Sequence, residues 1–459
     1  MRPGVRVADK APNPRDFTEG EVHGHLVRLT GFMLMGFVSV MGANLMETVY
    51  LGRVGTNELA GLGFTFPLVM MLQGITMGLS IGASSVVARS IGLGDWDRAR
   101  RLITHCFLLV ILIISLVAVL VFLLLGPFFS LLGANDEILP LSVHYMQIWL
   151  VGLPFFTIAM VGSTLMRATG DAVTPGYLMT IGSGLQILIG PVFIFGLLGM
   201  EQMGLAGAAV AFVLARFVSF LMYAWFVFKD RLLAPSLTGF GTSCRDILHV
   251  GLPAMASNLI SPVSMTIITR LLAGHGAVVV AGFSVASRIE AMVVMIIFAL
   301  SMSVAPFIGQ NWGAGLFDRV RLALRLGNLF AIGWGAFAYL VLFFAGRFLV
   351  SLINDDPAVV EAAGWYLVVA PLGIGFMGIM ANCTSTFNAL GKPMPPLVLS
   401  ILQMLVIGVP AALLGDYLFG YIGIFAGTVI TVSLLGTLSW FWLNREIETG
   451  IQRRQAQVV

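Results

Sequence analysis

Long uncharged apolar runs recur along the chain, at 59 to 88, 102 to 135, 138 to 166, 172 to 200, 247 to 269, 291 to 317, 326 to 346, 362 to 391, 393 to 415 and 417 to 444. The hydrocarbon core of a bilayer, about 30 Å thick, needs about 20 apolar residues in a helix, and every run meets that length. Two further spans are interrupted by one charge each, about 27 to 52 by Glu47 and about 203 to 228 by Arg216. The span that ends the run at 317 is expected to begin near 278, and so to include Arg288 and Glu290. The pattern predicts an all-α polytopic membrane protein with twelve transmembrane helices. Strands of a transmembrane barrel would alternate every second residue, which these runs do not.

Composition agrees. Of 459 residues, 58% are hydrophobic and 10% charged, with a mean hydropathy of +0.97. A soluble domain carries roughly a quarter charged residues, so this chain cannot cover a water-exposed surface. A formal charge of +3 makes no case for nucleic acid. Cys106, Cys244 and Cys383 are too dispersed for a disulfide framework or a metal site. No phosphate-binding Gly-x-x-x-x-Gly-Lys-Ser/Thr loop occurs, so no ATPase of its own is expected, and no ATPase subunit or resident cofactor is implied.

The distribution of basic residues orients the spans. Twenty of the 25 fall in the tails and the even-numbered connections. The odd-numbered connections hold only Arg53, Arg270 and Arg347. The positive-inside rule then places both termini in the cytoplasm. The expected organisation is a polar N-tail at 1–25, a six-helix lobe at 26–228, a cytoplasmic linker at 229–246, a second six-helix lobe at 247–444 and a C-tail at 445–459.

The chain also aligns to itself at an offset of 221 residues without a gap. Gly92-Leu-Gly-Asp-Trp-Asp-Arg-Ala-Arg100 matches Gly313-Ala-Gly-Leu-Phe-Asp-Arg-Val-Arg321, Tyr145 matches Tyr366, and Ala168, Gly170 and Pro175 match Ala389, Gly391 and Pro396. Shared loop chemistry is harder to obtain by chance than shared Leu and Ala. Six spans per copy is an even number, so both copies have one orientation and relate by a pseudo-two-fold axis along the membrane normal, the parallel-repeat plan of transporters.

These residues resemble a known family. Met46-Glu-Thr-Val-Tyr-Leu-Gly52, the Gly-x-Gly-x-x-Asp-x-Ala-Arg loop, Arg167-Ala-Thr-Gly-Asp171 with Pro175, and Ser287-Arg-Ile-Glu290 followed by Pro306, Gln310, Asn311 and Gly313 are similar to motifs of the MATE (multidrug and toxic compound extrusion) transporters, from about residue 25 to 445. The resemblance implies a monomeric antiporter in the cytoplasmic (inner) membrane of a bacterium. It would export small amphipathic, often cationic, compounds against an inward cation flow. MATE proteins usually carry an aspartate in span 1, which Glu47 fits. The span 5 ending Phe193-Ile-Phe-Gly196 is present, but the acidic position of the proton-coupled branch looks like Gly190. The span 7 glutamate of another branch has only Asn258, Ser261 and Ser264 nearby.

Individual residues carry alternatives. Intramembrane acids tend to face a cavity and serve ion pathways, so Glu47 is the first candidate for ion coupling. Solvation near its span end or a fixed pair with Arg216 would explain it equally in kind. Glu290 is a second coupling or substrate-cation candidate, or one half of a structural pair. Arg288 lies two positions away and does not face it. Arg216 and Arg288 are expected to be structural, Arg216 holding a carboxylate or span-end carbonyls. Mid-span amides most often join helices. Among them Asn44, Gln186, Asn258 and Asn382 are candidates for lining a cavity. Gly74, Gly78 and Gly82 form a ridge for close helix packing. Protons are favoured over sodium, because sodium needs several fixed oxygens and no such cluster is visible. The competing class on the same architecture is a flippase or exporter of a lipid-linked or amphipathic metabolite, which would favour Arg216, Arg270 and Arg288 on one cavity wall. An intramembrane enzyme would need converging His, Asp or Ser side chains, and the six histidines sit mostly at span ends.

Overall fold

The computed structural model describes residues 17–171 and 173–456. Backbone groups within a bilayer must be satisfied inside their own segment, and the apolar runs accordingly become helices. Twelve spans among the described residues are long and apolar enough to cross a membrane. The first lobe comprises α1 (Val22–Val54), α2 (Thr56–Gly92), α3 (Trp96–Leu131), α4 (Ile138–Ala168), α5 (Val173–Phe195) and α6 (Gly204–Lys229). The second comprises α7 (Phe240–Ala273), α8 (Ala277–Gly313), α9 (Phe317–Ser351), the pair α10 (Pro357–Val369) and α11 (Ile374–Ala389), the pair α12 (Met394–Ile401) and α13 (Gly408–Phe419), and α14 (Tyr421–Ala456). A 3-10 turn at Ala370–Gly373 breaks the tenth span, and a π-helical turn at Leu402–Val406 breaks the eleventh.

The duplication appears in both packing and loop geometry. α4 packs against α2, α3 and α6, and its counterpart α10–α11 packs against α8, α9 and α14. The apolar window of each of these two spans is 61% buried, which marks both as the central helix of a lobe. Past the ends of α2 and α8 the chain turns through Gly94 (φ 77°) and Gly315 (φ 75°). In both turns a main-chain N–H reaches back five residues, Asp95 to Ser90 and Leu316 to Asn311. This is the Schellman closure, in which a left-handed residue satisfies orphan carbonyls and glycine carries no Cβ penalty. The Gly-x-Gly motif is therefore the stop signal of the second helix in each lobe.

The lobes meet along α2–α7, α1–α8 and α2–α8. Gly78 and Gly82 of α2 let that helix approach α7 closely. A Cβ on Gly78 would lie 2.6 Å from the Met255 nitrogen, and one on Gly82 2.4 Å from the Ile247 carbonyl oxygen. The expected glycine ridge thus serves contact between lobes. At the end of the bundle that carries Phe17 and Ala456, α2 and α8 touch through Gly92 and Gly313. There the lobes exchange hydrogen bonds: Gln310 Nε2 donates to the Ala168 carbonyl at 2.7 Å, and Arg89 Nη1 to the Leu390 carbonyl at 3.4 Å. The charged turns beyond add to this seam: Arg319 donates to the Gly20 and Glu19 carbonyls at 2.7 and 3.0 Å, and Arg98 pairs with Asp246 of α7 at 3.4 Å. Asp318 bonds Arg321 of its own helix at 3.2 Å, and Arg321 reaches Glu448 at 2.8 Å.

The segments expected as tails and linker are shorter than their composition suggested. Residues 1–16 lie outside the described part, but Phe17 is 2% exposed and packs on Phe307, with ring centroids 5.9 Å apart. Its amide donates to Gln310 Oε1 at 3.2 Å, and Asn311 and Arg319 donate to its carbonyl at 3.0 and 2.9 Å. α7 begins at Phe240, leaving 230–239 as the non-helical stretch between lobes. α14 runs on to Ala456, and Arg454 donates to the Trp312 carbonyl at 2.6 Å.

Candidate functional site

Glu47 faces the interior of the first lobe, where α1, α4, α5 and α6 converge. Tyr145 of α4 donates its hydroxyl to Glu47 Oε1 at 3.3 Å. Gln186 of α5 donates to Oε2 at 3.0 Å. The oxygen of the same amide accepts from Arg216 Nη2 of α6 at 2.8 Å. Arg216 was expected to hold a carboxylate or carbonyls; it reaches the carboxylate only through Gln186. The reason is packing: its guanidinium lies over Phe212 and Phe156, 5.3 and 5.8 Å from the ring centroids, and the amide bridges the remaining gap. Glu47 therefore has two neutral donors and no cation in direct contact among the described residues. The crevice beside it, lined by Tyr50, Gln186, Ile187 and Gly190, has a volume of about 10 Å³. One water needs about 10–15 Å³ of such space, so no organic compound fits. The Tyr50 ring faces Gly190, with Cδ2 3.5 Å from where a Cβ would stand, an ordinary van der Waals contact.

The second lobe is built on a different scale. Glu290 of α8 accepts a hydrogen bond from the hydroxyl of Tyr366 on α10. Both line a cavity of about 340 Å³ between α7, α8, α10, α11, α12 and α14. Ser257, Ser264, Gln403 and Thr428 supply polar groups to it, and Phe283, Phe425, Met265, Met377 and Met404 supply its apolar wall. Tyr366 stands edge-on to Phe425, with ring centroids 4.9 Å apart and an interplanar angle of 88°. The volume is in the range of small-molecule pockets, which are mostly apolar with a few placed polar groups. Methionine adds a flexible, polarizable surface. Gln403 enters this cavity on the π-helical turn, a device that frequently marks functional positions.

Other sequence candidates lie elsewhere. Asn382, a candidate for lining a cavity, instead follows the default for mid-span amides: it is fully buried and donates to Asn328 Oδ1 of α9 at 3.2 Å, so it joins two helices. Asn258 sits at the α2–α7 seam beside Gly74, its Nδ2 buried and without a partner. Asn44 is exposed on α1. Arg288 is exposed and makes no hydrogen bond or ion pair among the described residues, which removes its structural assignment. Arg270 is likewise exposed, so Arg216, Arg270 and Arg288 do not form one basic wall. Tyr145 and Tyr366 were not singled out from sequence as site residues, although their match at the repeat offset was the available signal. No cluster of His, Cys, Asp or Glu able to hold a metal ion occurs among the described residues.

Comparison with known proteins agrees with this architecture. The MatE family profile matches residues 33–192 and 253–414, one stretch in each lobe. A relative named FAD transporter, from Shewanella oneidensis, is 32% identical over 419 residues, which cover 90% of this chain and 93% of the relative. A probable multidrug resistance protein, NorM of Thermotoga maritima, is 24% identical over 443 residues, covering 94% and 95%. The crystal structure of a point mutant of the Vibrio cholerae MATE transporter VcmN superposes with a TM-score of 0.90 at 29% identity, over 93% of this chain and 97% of that one. By its profile, its relatives and its two-lobe frame of twelve spans, the chain belongs to the MATE (MatE) family of membrane transporters.

Proposed function

We propose that this transporter exports amphipathic, cationic organic compounds in exchange for protons, by alternating access of its two lobes, with both termini in the cytoplasm. The observation that carries the reading is the division of labour between the two carboxylates. Glu47 sits beside a crevice of about 10 Å³, large enough for a proton or one water. Glu290 sits in a cavity of about 340 Å³ with aromatic and methionine walls, sized for an organic compound. Two neutral donors around Glu47 do not make the set of several fixed oxygens that sodium requires.

The proton would act through the hydrogen bonds. Ionised Glu47 accepts from Tyr145 and Gln186 and so ties α1 to α4 and α5. A protonated carboxyl must donate through one oxygen, so one of these ties has to rearrange. The change biases the packing of α1 within its lobe, and hence the balance of lobe arrangements. A ligand shifts such a balance only by its different affinity for the two states.

A second reading, export of an amphipathic metabolite on the same frame, is favoured by the Shewanella oneidensis relative, named FAD transporter. The dispersal of Arg216, Arg270 and Arg288 speaks against a basic wall built from those three. Proteoliposomes with an imposed proton gradient separate the readings. Uptake of an ethidium-like cation without uptake of a flavin dinucleotide supports the first; the reverse selects the second.

A further inference from the structure

A smaller cavity, of about 70 Å³, lies between the lobes where α2, α4, α8 and α11 meet. Its lining pairs off at the repeat offset: Thr164 with Ser385, Arg167 with Asn388, and Ser85 with Pro306. It therefore sits on the pseudo-two-fold axis, toward the end of the bundle where Gly92 meets Gly313. The chemistry is not symmetric. The first lobe contributes an arginine where the second contributes an asparagine.

Arg167 is 3% exposed and has no carboxylate within ion-pair distance among the described residues. It donates to Ser163 Oγ at 2.6 Å and Thr164 Oγ1 at 2.8 Å, both uncharged, which leaves three of its five N–H groups without a protein partner. Burying a charge is costly unless it is paired. The carbonyl end of α4 offsets only part of that cost. Asn388, 5% exposed, uses neither end of its side-chain amide, and its Oδ1 is buried without a partner. The hydroxyl of Ser84, 7% exposed, also makes no hydrogen bond within the protein. Three partly idle donor groups thus line one small cavity that holds no acidic residue.

We propose that this cavity is an oxyanion site, taking a phosphate-like group between Arg167 and Ser84 of the first lobe and Asn388 of the second. The guanidinium fork matches two oxygens of a phosphate or carboxylate. At about 10–15 Å³ for a water-sized group, the cavity holds the atoms of one small oxyanion. An anion held there bridges the lobes and favours the arrangement in which they are joined, because separating α4 from α11 divides its donors. The site requires neither the substrate class nor the coupling ion proposed above.

Equilibrium binding of radiolabelled inorganic phosphate to the full-length protein in nanodiscs tests the proposal without any transport step. Saturable binding is expected in the wild type. Arg167→Gln should weaken it roughly tenfold or more, the loss of a charge-assisted contact, and Arg167→Lys should weaken it less. Asn388→Asp changes almost no volume but places a carboxylate in the cavity, and should abolish binding in a protein that still folds. Arg270→Gln removes the same charge far from the site and should bind as wild type. An alkyl phosphate that competes identifies the ligand as the end of an amphiphile; inorganic phosphate binding without such competition identifies a free oxyanion. Absence of saturable binding, or wild-type affinity in Asn388→Asp, overturns the proposal.

Discussion

Tyr145 and Tyr366 occupy equivalent positions in the two repeats, and each donates its hydroxyl to a partly buried carboxylate of its own lobe, Glu47 in the first and Glu290 in the second. The acids themselves are not equivalent: Glu47 belongs to the first helix of its lobe and Glu290 to the second helix of the other. The duplicated frame thus keeps the donor fixed while the acceptor has moved. Around the first pair the space is closed, and around the second it opens into the large cavity.

The two tyrosines should therefore separate by phenotype. Tyr145→Phe removes a hydrogen bond to a charged group, worth about 1.5–3 kcal/mol, and should shift the pH profile of transport with little change in substrate affinity. Tyr366→Phe should instead weaken substrate binding. Equilibrium binding and initial transport rates across a pH series distinguish them, and interchangeable phenotypes would contradict the division of labour.

Arg216→Met keeps an apolar side chain of similar length beside Phe212 and removes both the guanidinium over that ring and the donor to Gln186 Oε1 at 2.8 Å. The freed amide can turn away from Glu47. The expected cost is roughly 2 kcal/mol for a charge-assisted hydrogen bond, read as a lower Tm. Gln186→Leu should give the same pH shift as Tyr145→Phe, since it deletes the other donor to Glu47.

Much of this was legible in the residues and some was not. Ten uncharged runs and two interrupted by a single charge marked the twelve spans, and the gap-free offset marked the two lobes, because bilayer burial and loop capping leave direct marks on composition. The charge inside span 1 pointed to Glu47. Its partners were not visible, because Tyr145 and Gln186 lie about 100 residues or more away in sequence and meet it only through the packing of α4 and α5 on α1. Asn382 stayed open between two roles because a mid-span amide looks alike whether it faces a cavity or, as here, an asparagine of a neighbouring helix. Arg167, counted as a loop cation that orients the span, is buried at the lobe junction. Phe17 lay in a segment whose composition predicts only a polar tail.

The seam between α2 and α7 tolerates no side chain at Gly78, whose Cβ would meet Met255 main-chain atoms at 2.6 and 2.7 Å. Gly78→Leu should force the helices apart. Overpacking of this kind costs about 1–3 kcal/mol. Here it falls on one lobe arrangement, so transport should be lost while the protein still folds. Spin labels on α2 and α7 should report a longer distance than in wild type.

Phe17 anchors the segment that leads into α1 to the second lobe through Phe307 and Arg319. Phe17→Ala should destabilise the protein by roughly 3–5 kcal/mol, as for other buried phenylalanines, read as a lower Tm. Substrate affinity measured below that temperature should be unchanged.

The central claim is that Glu47 couples transport to protons while the second lobe holds the substrate. It is tested most directly by ethidium-like cation transport in proteoliposomes under an imposed proton gradient, with wild type and Glu47→Gln compared, and with a sodium gradient as the alternative driving force. The account predicts proton-driven transport in wild type, none driven by sodium, and none in Glu47→Gln even though that variant still binds the cation. Full transport by Glu47→Gln, or transport that follows the sodium gradient, would contradict it.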